Sequence, residues 1–438
     1  MELNVKELSA SENEIEISLK FDDVKNDIEA EVKKQTKNIQ LPGFRKGKVP
    51  KNILKKRFGD SLEYEASEKI ANKHFWEIAR EKNLNPIGQP TMTDLDFKPG
   101  EKLNFKVKYE VVPQIELKDY TDQKIEIPDF KVKDSDVEKE ILHQRRANKT
   151  LEDAEVVGDD NNFLLDVLVY RLNNKGEPEN ENGEKLQIDL TSEGVNKEIL
   201  KNSKAKKVGE FFNFSFDEER TVKNDKGVEE KVKENYNYKV EIKGIKKIIL
   251  PELNEEFIKE ITKDKVSNES DLKKEVKNDI ENYYAGKVEE ILRGNLITTI
   301  IKNNEFTPPS TLVNNILEEL VKSEEEYLKK QGYPNVKTSE LKKRLRTTAE
   351  NDVKWYLIKS ELLKKENISI TDDEIKELAE KDAEKTGIPV EKLLTYYKNS
   401  GQNEKMLDQK LFEFLKEKNN IIKLDPEKFN KSETKEKS

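Results

Sequence analysis

The sequence predicts a multidomain α+β protein: an α+β domain, then a β-rich domain, then an all-helical domain. Three observations carry that reading. Residues 14–19 and 103–111 alternate apolar and polar side chains with period two, and helical spacing fills much of the stretch between them. Apolar runs and alternation return across residues 163–245, separated by Asn- and Gly-containing turns. Beyond Pro251 the apolar residues recur at three- and four-residue intervals almost to the end. A chain of 438 residues is longer than one hydrophobic core normally serves. Its 39% charged and 34% hydrophobic composition fits an elongated, helix-rich molecule better than a single globule.

Taken in order, Glu14 to Leu19 reads as a half-buried strand, and Val24, Ile28 and Val32 follow as the stripe of a helix. Between Gln40 and Asp60 the chain changes character, with seven Lys and Arg residues against the single acid Asp60. Pro42, Gly43 and Gly47 are turn formers, because proline presets φ and glycine accepts positive φ without a clash. Pro50 suits the first turn of a short basic helix, where its missing N–H would be unpaired anyway. Ile53, Leu54 and Phe58 are assigned to one face of that helix, and Lys51, Lys55, Lys56 and Arg57 to the other. A longer helix, Leu62 to Lys82, carries Phe75, Trp76 and Ile78 as core residues until Asn85-Pro86 and Gln89-Pro90 break it. Leu103, Phe105, Val107, Tyr109 and Val111 then form a second strand. Residues 1–118 are therefore expected to place helices on one side of an antiparallel sheet.

Pro113 and Pro128 bracket an extended connector, and a helix is expected from Lys133 to Leu151, so residues 119–152 read as a linker. Residues 153–247 form the β-rich domain, with Phe163 to Tyr170, Phe212 to Phe216 and Tyr236 to Ile245 as strands. Residues 248–427 form the helical domain. Its stripes run through Leu272, Val276 and Ile280, and later through Leu312, Ile316 and Leu320. Pro308-Pro309 and Gly332-Tyr333-Pro334 separate its helices, and Thr371 to Glu374 starts another with a capping box. Residues 428–438 are expected to be a disordered tail.

Composition also excludes chemistry. The absence of cysteine removes disulfides, thiolate catalysis and cysteine–zinc sites. The two histidines, His74 and His143, lie far apart on separate helical patterns, so neither metal binding nor histidine-base catalysis is expected. No nucleophile sits beside a base and no Gly-rich phosphate loop is present, so no cofactor is expected. There is no bilayer-length apolar run and no signal-peptide pattern at Met1, which implies a cytoplasmic protein without a membrane partner. Net charge is −9, yet residues 1–118 hold 22 Lys and Arg against 21 Asp and Glu, so the acidity lies in the remainder. The basic stretch at 40–60 is therefore a local anion-binding feature. As the only basic patch evident, it argues against a generic RNA-coating protein. On composition alone a solvated loop with Phe44 tucked inward is the simpler account.

Resemblance adds what composition cannot. Gly43-Phe44-Arg45-Lys46-Gly47-Lys48-Val49-Pro50 resembles the ribosome-binding signature of trigger factors, the bacterial chaperones of the ribosomal tunnel exit. That resemblance implies docking on the large ribosomal subunit, through ribosomal protein and RNA, and shelter for nascent and unfolded polypeptides. Arg45, Lys46 and Lys48 would contact RNA phosphate or acidic side chains, and Phe44 would enter an apolar crevice. Gly43, Gly47 and Pro50 would shape the loop. Some members of the family form homodimers when free, and that partner remains open here.

The middle domain is similar in position to the family's peptidyl-prolyl isomerase domain, which has the FK506-binding-protein fold. Here the motifs depart from the pattern. Asp166 is followed by Val167 instead of an aromatic, and Asn196 to Ile199 replaces a proline–glycine turn. Asp166, Val167 and Ile199 are thus candidates for a degenerate prolyl pocket, and a fold retained without activity is favoured over an active isomerase. Phe211, Phe212, Phe214, Phe216, Tyr236 and Tyr238 could rebuild a pocket, although core packing explains most of them more simply. Pro251 to Phe257 resembles the family's junction into its C-terminal domain, which would form arms around a cradle. A periplasmic chaperone with similar arms is the competing non-enzyme class, and it leaves the basic loop unexplained.

Overall fold

The computed structural model describes residues 2–436 apart from 38, 43, 45–48, 174, 181, 224–228 and 334. The chain forms two compact units, Met1–Asp129 with Val288–Ser438 and Phe130–Lys287. In the first unit the chain opens with strands β1 (Glu2–Ser9) and β2 (Glu12–Lys20) and helices α1 (Phe21–Thr36) and α2 (Lys51–Glu81). Strands β3 (Ile87–Lys98) and β4 (Lys102–Glu110) follow, giving an antiparallel sheet of order β1-β2-β4-β3. The two expected strands are the centre of that sheet. Ile15 pairs with Val107, Ile17 with Phe105 and Leu19 with Leu103, so the alternation of both strands faces one core. Val24 and Ile28 of α1 and Ala66, Ile70 and Phe75 of α2 cover it, and the Phe75 ring lies 5.7 Å from Tyr109.

Two features differ from the sequence reading. Strand β1 has no clean alternation, and its face is mostly exposed, so periodicity does not announce it. The short and long helices expected on either side of Gly59 are one 31-residue helix, α2. One interior glycine costs about 1 kcal/mol of helix propensity. The four-residue spacing of Leu54, Phe58, Leu62, Ala66 and Ile70 runs through it unbroken, and burial along that stripe outweighs the penalty.

Residues 119–152, expected as a connector, contribute Ile125 and Ile127 to one core and Val137 and Ile141 to another. β5 (Lys124–Pro128) pairs in parallel with a strand 296 residues later, Lys124 opposite Asn420. Two buried asparagines hold the approach to β5. The Asn304 carboxamide accepts from Lys118 N and donates to Lys118 O, while Asn419 accepts from Gln123 N and donates to Tyr120 O. A carboxamide offers both a donor and an acceptor, so each asparagine supplies the bonds that a neighbouring strand would have made.

In the second unit, helix α3 (Asp134–Ala147) ends earlier than expected, and residues 150–153 form β6 (Thr150–Asp153) instead. β7 (Phe163–Leu172), β8 (Glu184–Asp189), α4 (Lys197–Asn202), β9 (Phe211–Lys223) and β10 (Glu229–Ile249) complete the β-rich part. β10 is the spine: it pairs antiparallel with β9, β7 and β6, and β8 lies beyond β7. Phe163, Leu165 and Val167 of β7 share one core with Val240, Ile242 and Ile199. Val137 and Ile141 of α3 pack with Ile258 of α5 (Glu255–Thr262) and with Leu272 and Val276 on the early turns of α6 (Glu269–Asn303).

The remaining helices belong to the first unit. α7 (Ser310–Lys330) and α8 (Thr338–Lys365) form an antiparallel hairpin closed by Val313, Leu317, Val321, Leu341 and Val353. α9 (Asp372–Thr386) and α10 (Val390–Asn399) pair through Ile375, Ala379, Leu393 and Tyr397. The capping box at Thr371 forms as expected, and Gly387 ends α9 at φ +71. α11 (Gln402–Glu417) packs Leu411, Phe412 and Leu415 against Leu292, Leu296 and Ile358. β11 (Asn420–Leu424), the partner of β5, follows. Helix α12 (Pro426–Glu436) then occupies most of the stretch expected to be disordered, with Phe429 only 5% exposed. That phenylalanine is an apolar anchor within the stretch expected to be a disordered tail. Among the described residues no helix is long and apolar enough to cross a membrane.

Candidate functional site

The basic stretch is the loop joining α1 to α2, and the way its two legs are pinned explains how it is presented. Leu41 on the incoming leg and Val49 on the outgoing leg are buried with Leu54 of α2, and Ile39 and Phe58 pack around them. This small cluster is separate from the core beneath the sheet. It ties the two legs of the loop together. Phe44, between them, is 37% exposed, with its N–H donating to Leu41 O. An exposed phenylalanine beside a closed apolar cluster argues against the inward-tucked alternative. Gly43, Arg45, Lys46, Gly47 and Lys48 lie outside the described residues, as do the side chains of Lys51, Lys55 and Lys56.

Pro50 sits one residue before the first helical turn instead of within it. Its φ is −57, and its carbonyl accepts from Ile53 N and Leu54 N. The preset φ thus directs the chain from loop into helix, and no N–H is lost from the helical ladder. Ile53 also departs from the expected face. Leu54 and Phe58, four residues apart, point to the apolar cluster, whereas Ile53 is 38% exposed. A five-residue separation rotates the side chain about 140° around a helix, so Ile53 and Phe58 could not share a narrow stripe. Ile53 is therefore a second exposed apolar group near the loop, and helical-wheel arithmetic would have found it. Behind the loop, α1 and α2 diverge around a groove of about 720 Å³ whose apolar walls are Phe21, Ile28, Val32, Leu54 and Leu62. Exposed Lys33, Lys34 and Lys37 end α1 on the approach to the loop. Lys69 on α2, with help from Lys34, holds the Glu31 carboxyl below its usual range.

Of the prolyl-pocket candidates, Asp166 is set apart from the other two. Val167 and Ile199 are buried in the middle-domain core, 2% and 7% exposed. Asp166 is on the opposite face of β7, where it accepts from Gln187 Nε2 at 2.9 Å across the β7–β8 pair. Gly244 faces it on β10, and an added Cβ there would stand 3.2 Å from Asp166 Oδ2. Period-two geometry makes this separation unavoidable for two adjacent strand residues. The aromatic residues of β9 and β10 form a cross-strand ladder: Phe214 stacks on Tyr238 at 5.2 Å and Phe216 on Tyr236 at 5.4 Å. Phe212 and Tyr236 are buried, while Phe211 and Phe216 are exposed. The cavity beside Phe214, about 410 Å³, is lined by Asn173, Glu198, Asn213, Ser215 and Asn237 as well as Leu172. Its polar walls are the opposite of the dry surface that twists a prolyl amide. Among the described residues no cluster of three His, Asp or Glu side chains could hold a metal.

Comparison with known proteins places both ends of the chain in one family. The model described as "Bacterial trigger factor protein (TF)" matches residues 1–143, and that of the "Bacterial trigger factor protein (TF) C-terminus" matches residues 270–417. The chain belongs to the bacterial trigger factor family. Relatives agree along nearly the whole length. The trigger factor of Prosthecochloris aestuarii is 28% identical over 413 residues, covering 93% of each chain. That of Chlorobaculum parvum is 28% identical over 429 residues, covering 97% of this chain and 98% of its own. A more distant source, Syntrophotalea carbinolica, has one 26% identical over 438 residues, 98% of both chains. The family thus joins the loop domain and the helical domain as parts of one chaperone.

Proposed function

We infer that this chaperone docks near the tunnel exit of the large ribosomal subunit and shields nascent polypeptides as they emerge. The observation that carries the reading is the octapeptide Gly43 to Pro50, in a loop whose legs are tied by buried Leu41 and Val49 while Phe44 between them is exposed. Phe44, with Ile53 nearby, offers an apolar contact, and Arg45, Lys46 and Lys48 offer cations to RNA phosphate or acidic side chains. Gly43, Gly47 and Pro50 set the path of the loop. Held mainly by charge, such an attachment weakens as salt rises, which suits a chaperone that must bind and release.

The middle domain contributes as a folded holding module and not as an isomerase. Val167 and Ile199 are core residues and Asp166 faces away from them, so the three do not line one surface, which supports this reading. Co-sedimentation with bacterial ribosomes across a salt series tests the docking. The wild type should pellet with ribosomes at low salt, and Phe44→Ala/Arg45→Ala/Lys46→Ala should remain in the supernatant with an unchanged circular dichroism spectrum. Equal sedimentation of the two would refute the assignment. A proline-peptide isomerisation assay should show turnover no faster than the uncatalysed rate.

A further inference from the structure

The two edges of the first sheet are finished differently. β3 carries Pro90 and two interruptions of its register with β4, features that spoil a free edge for further pairing. β1, the opposite edge, keeps a regular register with β2 from Glu2 to Glu7, and no strand lies on its outer side. It contains no proline, and most of its side chains are exposed. Its outward N–H and C=O groups make no hydrogen bond among the described residues. Such a row is a template for one more strand. The side chains of β1 sort onto two faces. Leu3 stands opposite Ile17 and Val5 opposite Ile15, which puts both on the core face. Leu3 is half-buried there, whereas Val5, at the rim, is 49% exposed. Glu2, Asn4 and Lys6 stand opposite Ser18, Glu16 and Glu14 on the other face. Neither Glu2 nor Lys6 has an ion-pair partner among the described residues.

The segment Glu2-Leu3-Asn4-Val5-Lys6 is complementary to itself read backwards. A two-fold axis normal to the sheet keeps every residue on its own face, so two antiparallel copies can oppose only residues of equal parity. With Asn4 opposite Asn4 of the second copy, Glu2 meets Lys6 and Leu3 meets Val5, and the same pairs recur across the axis. Opposite charges meet on one face and apolar side chains on the other, the pairings that stabilise a ladder. Moving the axis to Val5, Lys6 or Glu7 sets Leu3 against Glu7, Lys6 against Lys6 or Glu7 against Glu7. We propose that β1 is a self-association edge: two copies of this chain pair antiparallel over Glu2 to Lys6, with the axis at Asn4, and join their four-stranded sheets. Leu3 of each copy then covers the exposed Val5 of the other. The pairing uses none of the basic loop and does not depend on ribosome docking.

The test uses the full chain, in which an introduced cysteine is the only one. Opposed residues of an antiparallel ladder lie about 4.5–5.5 Å apart at Cα, within the span of a disulfide. Asn4→Cys should therefore give a covalent dimer under mild oxidation. Leu8→Cys, whose two copies would lie about 27 Å apart, should remain monomeric. In sedimentation velocity the wild type should show a monomer–dimer equilibrium. Lys6→Glu should raise its dissociation constant at least about tenfold, because both ion pairs become repulsions. Glu2→Lys/Lys6→Glu should bring it back to within about threefold of wild type. The substituted carboxylate still stands opposite Glu14 in that variant, so a damaged edge would not be rescued. A wild type that stays monomeric at the highest concentration reached would overturn the pairing. So would Leu8→Cys crosslinking as efficiently as Asn4→Cys, or a charge-swapped protein that dimerises no better than Lys6→Glu. A monomer whose β1 amides gain exchange protection only when an unfolded polypeptide is added would overturn it as well, and would assign the edge to client strands.

Discussion

Removing the Glu110 carboxylate should loosen the start of α7 from 200 residues away. Helix α7 follows Pro309, which has no side chain able to cap it. Glu110, the last residue of β4, supplies the cap instead. One carboxylate oxygen accepts from Ser310 N at 2.9 Å and from the Ser310 hydroxyl, and the other accepts from Thr311 N at 2.8 Å. A lost N-cap costs about 1 kcal/mol, and a carboxylate at the positive end of a helix adds roughly 0.3–1 kcal/mol. Glu110→Ala should therefore destabilise this end of the hairpin by about 1–2 kcal/mol, equivalent to a 5- to 30-fold change in the local opening equilibrium.

Amide hydrogen exchange at residues 310–313 is the appropriate readout, because a multidomain chain gives no single unfolding free energy. Partial burial pushes the Glu110 carboxyl up, but the bonds from Ser310 and Thr311 outweigh it and leave the group below its usual range. Its stabilisation is therefore complete above the ordinary carboxylate range and declines as pH falls through the lowered folded value. Glu110→Gln, which keeps one acceptor, should show a smaller effect at neutral pH that shrinks in acid. Exchange at these amides that is unchanged in Glu110→Ala, or a Glu110→Gln difference that persists undiminished in strong acid, would refute the reasoning.

Further predictions concern the same helical framework. Asn419→Ala leaves Gln123 N, Tyr120 O and Leu415 O without their carboxamide partner and should cost about 2–3 kcal/mol locally, read as faster amide exchange at Gln123. At Gly88 (φ +69) an added Cβ would stand 2.5 Å from Thr311 Oγ1, so Gly88→Ala should destabilise by about 1–3 kcal/mol. Adding Thr311→Ala should recover the steric part of that loss in thermal melts, while the positive-φ strain remains. Glu374, held by Lys410 and by Thr371 in the capping box, has its carboxyl drawn down to about 2. Its contribution is present above pH 4.5, the ordinary value, and is lost as pH falls toward 2. The melting temperatures of wild type and Glu374→Gln should therefore converge over that interval.

Much of this architecture is legible residue by residue. The alternation at 14–19 and 103–111 identifies the centre of the first sheet, because pairing partners on one face must both be apolar. The octapeptide at 43–50 marks the loop, because two glycines and a proline among cations are turn formers. The capping box at Thr371 is visible because its donor and acceptor are three residues apart. Features that depend on distant neighbours are not legible in this way. Gly59 looks like a break until the buried stripe of Leu54, Leu62, Ala66 and Ile70 is seen to run past it. Asn304 and Asn419 look like ordinary polar residues until a backbone segment is laid across them. Phe429 looks isolated until α12 packs.

The sequence by itself determined the order of domains, most helices and strands, and the composition and position of the basic loop. These follow from local periodicity and turn chemistry, in which the interacting residues lie within a few positions of each other. Only the tertiary structure decided that Leu41 and Val49 tie the loop and leave Phe44 outside, and that Glu110 caps α7. Each of these depends on groups brought together by packing across long stretches of chain, and a side chain's partner at that range is not encoded in its neighbours.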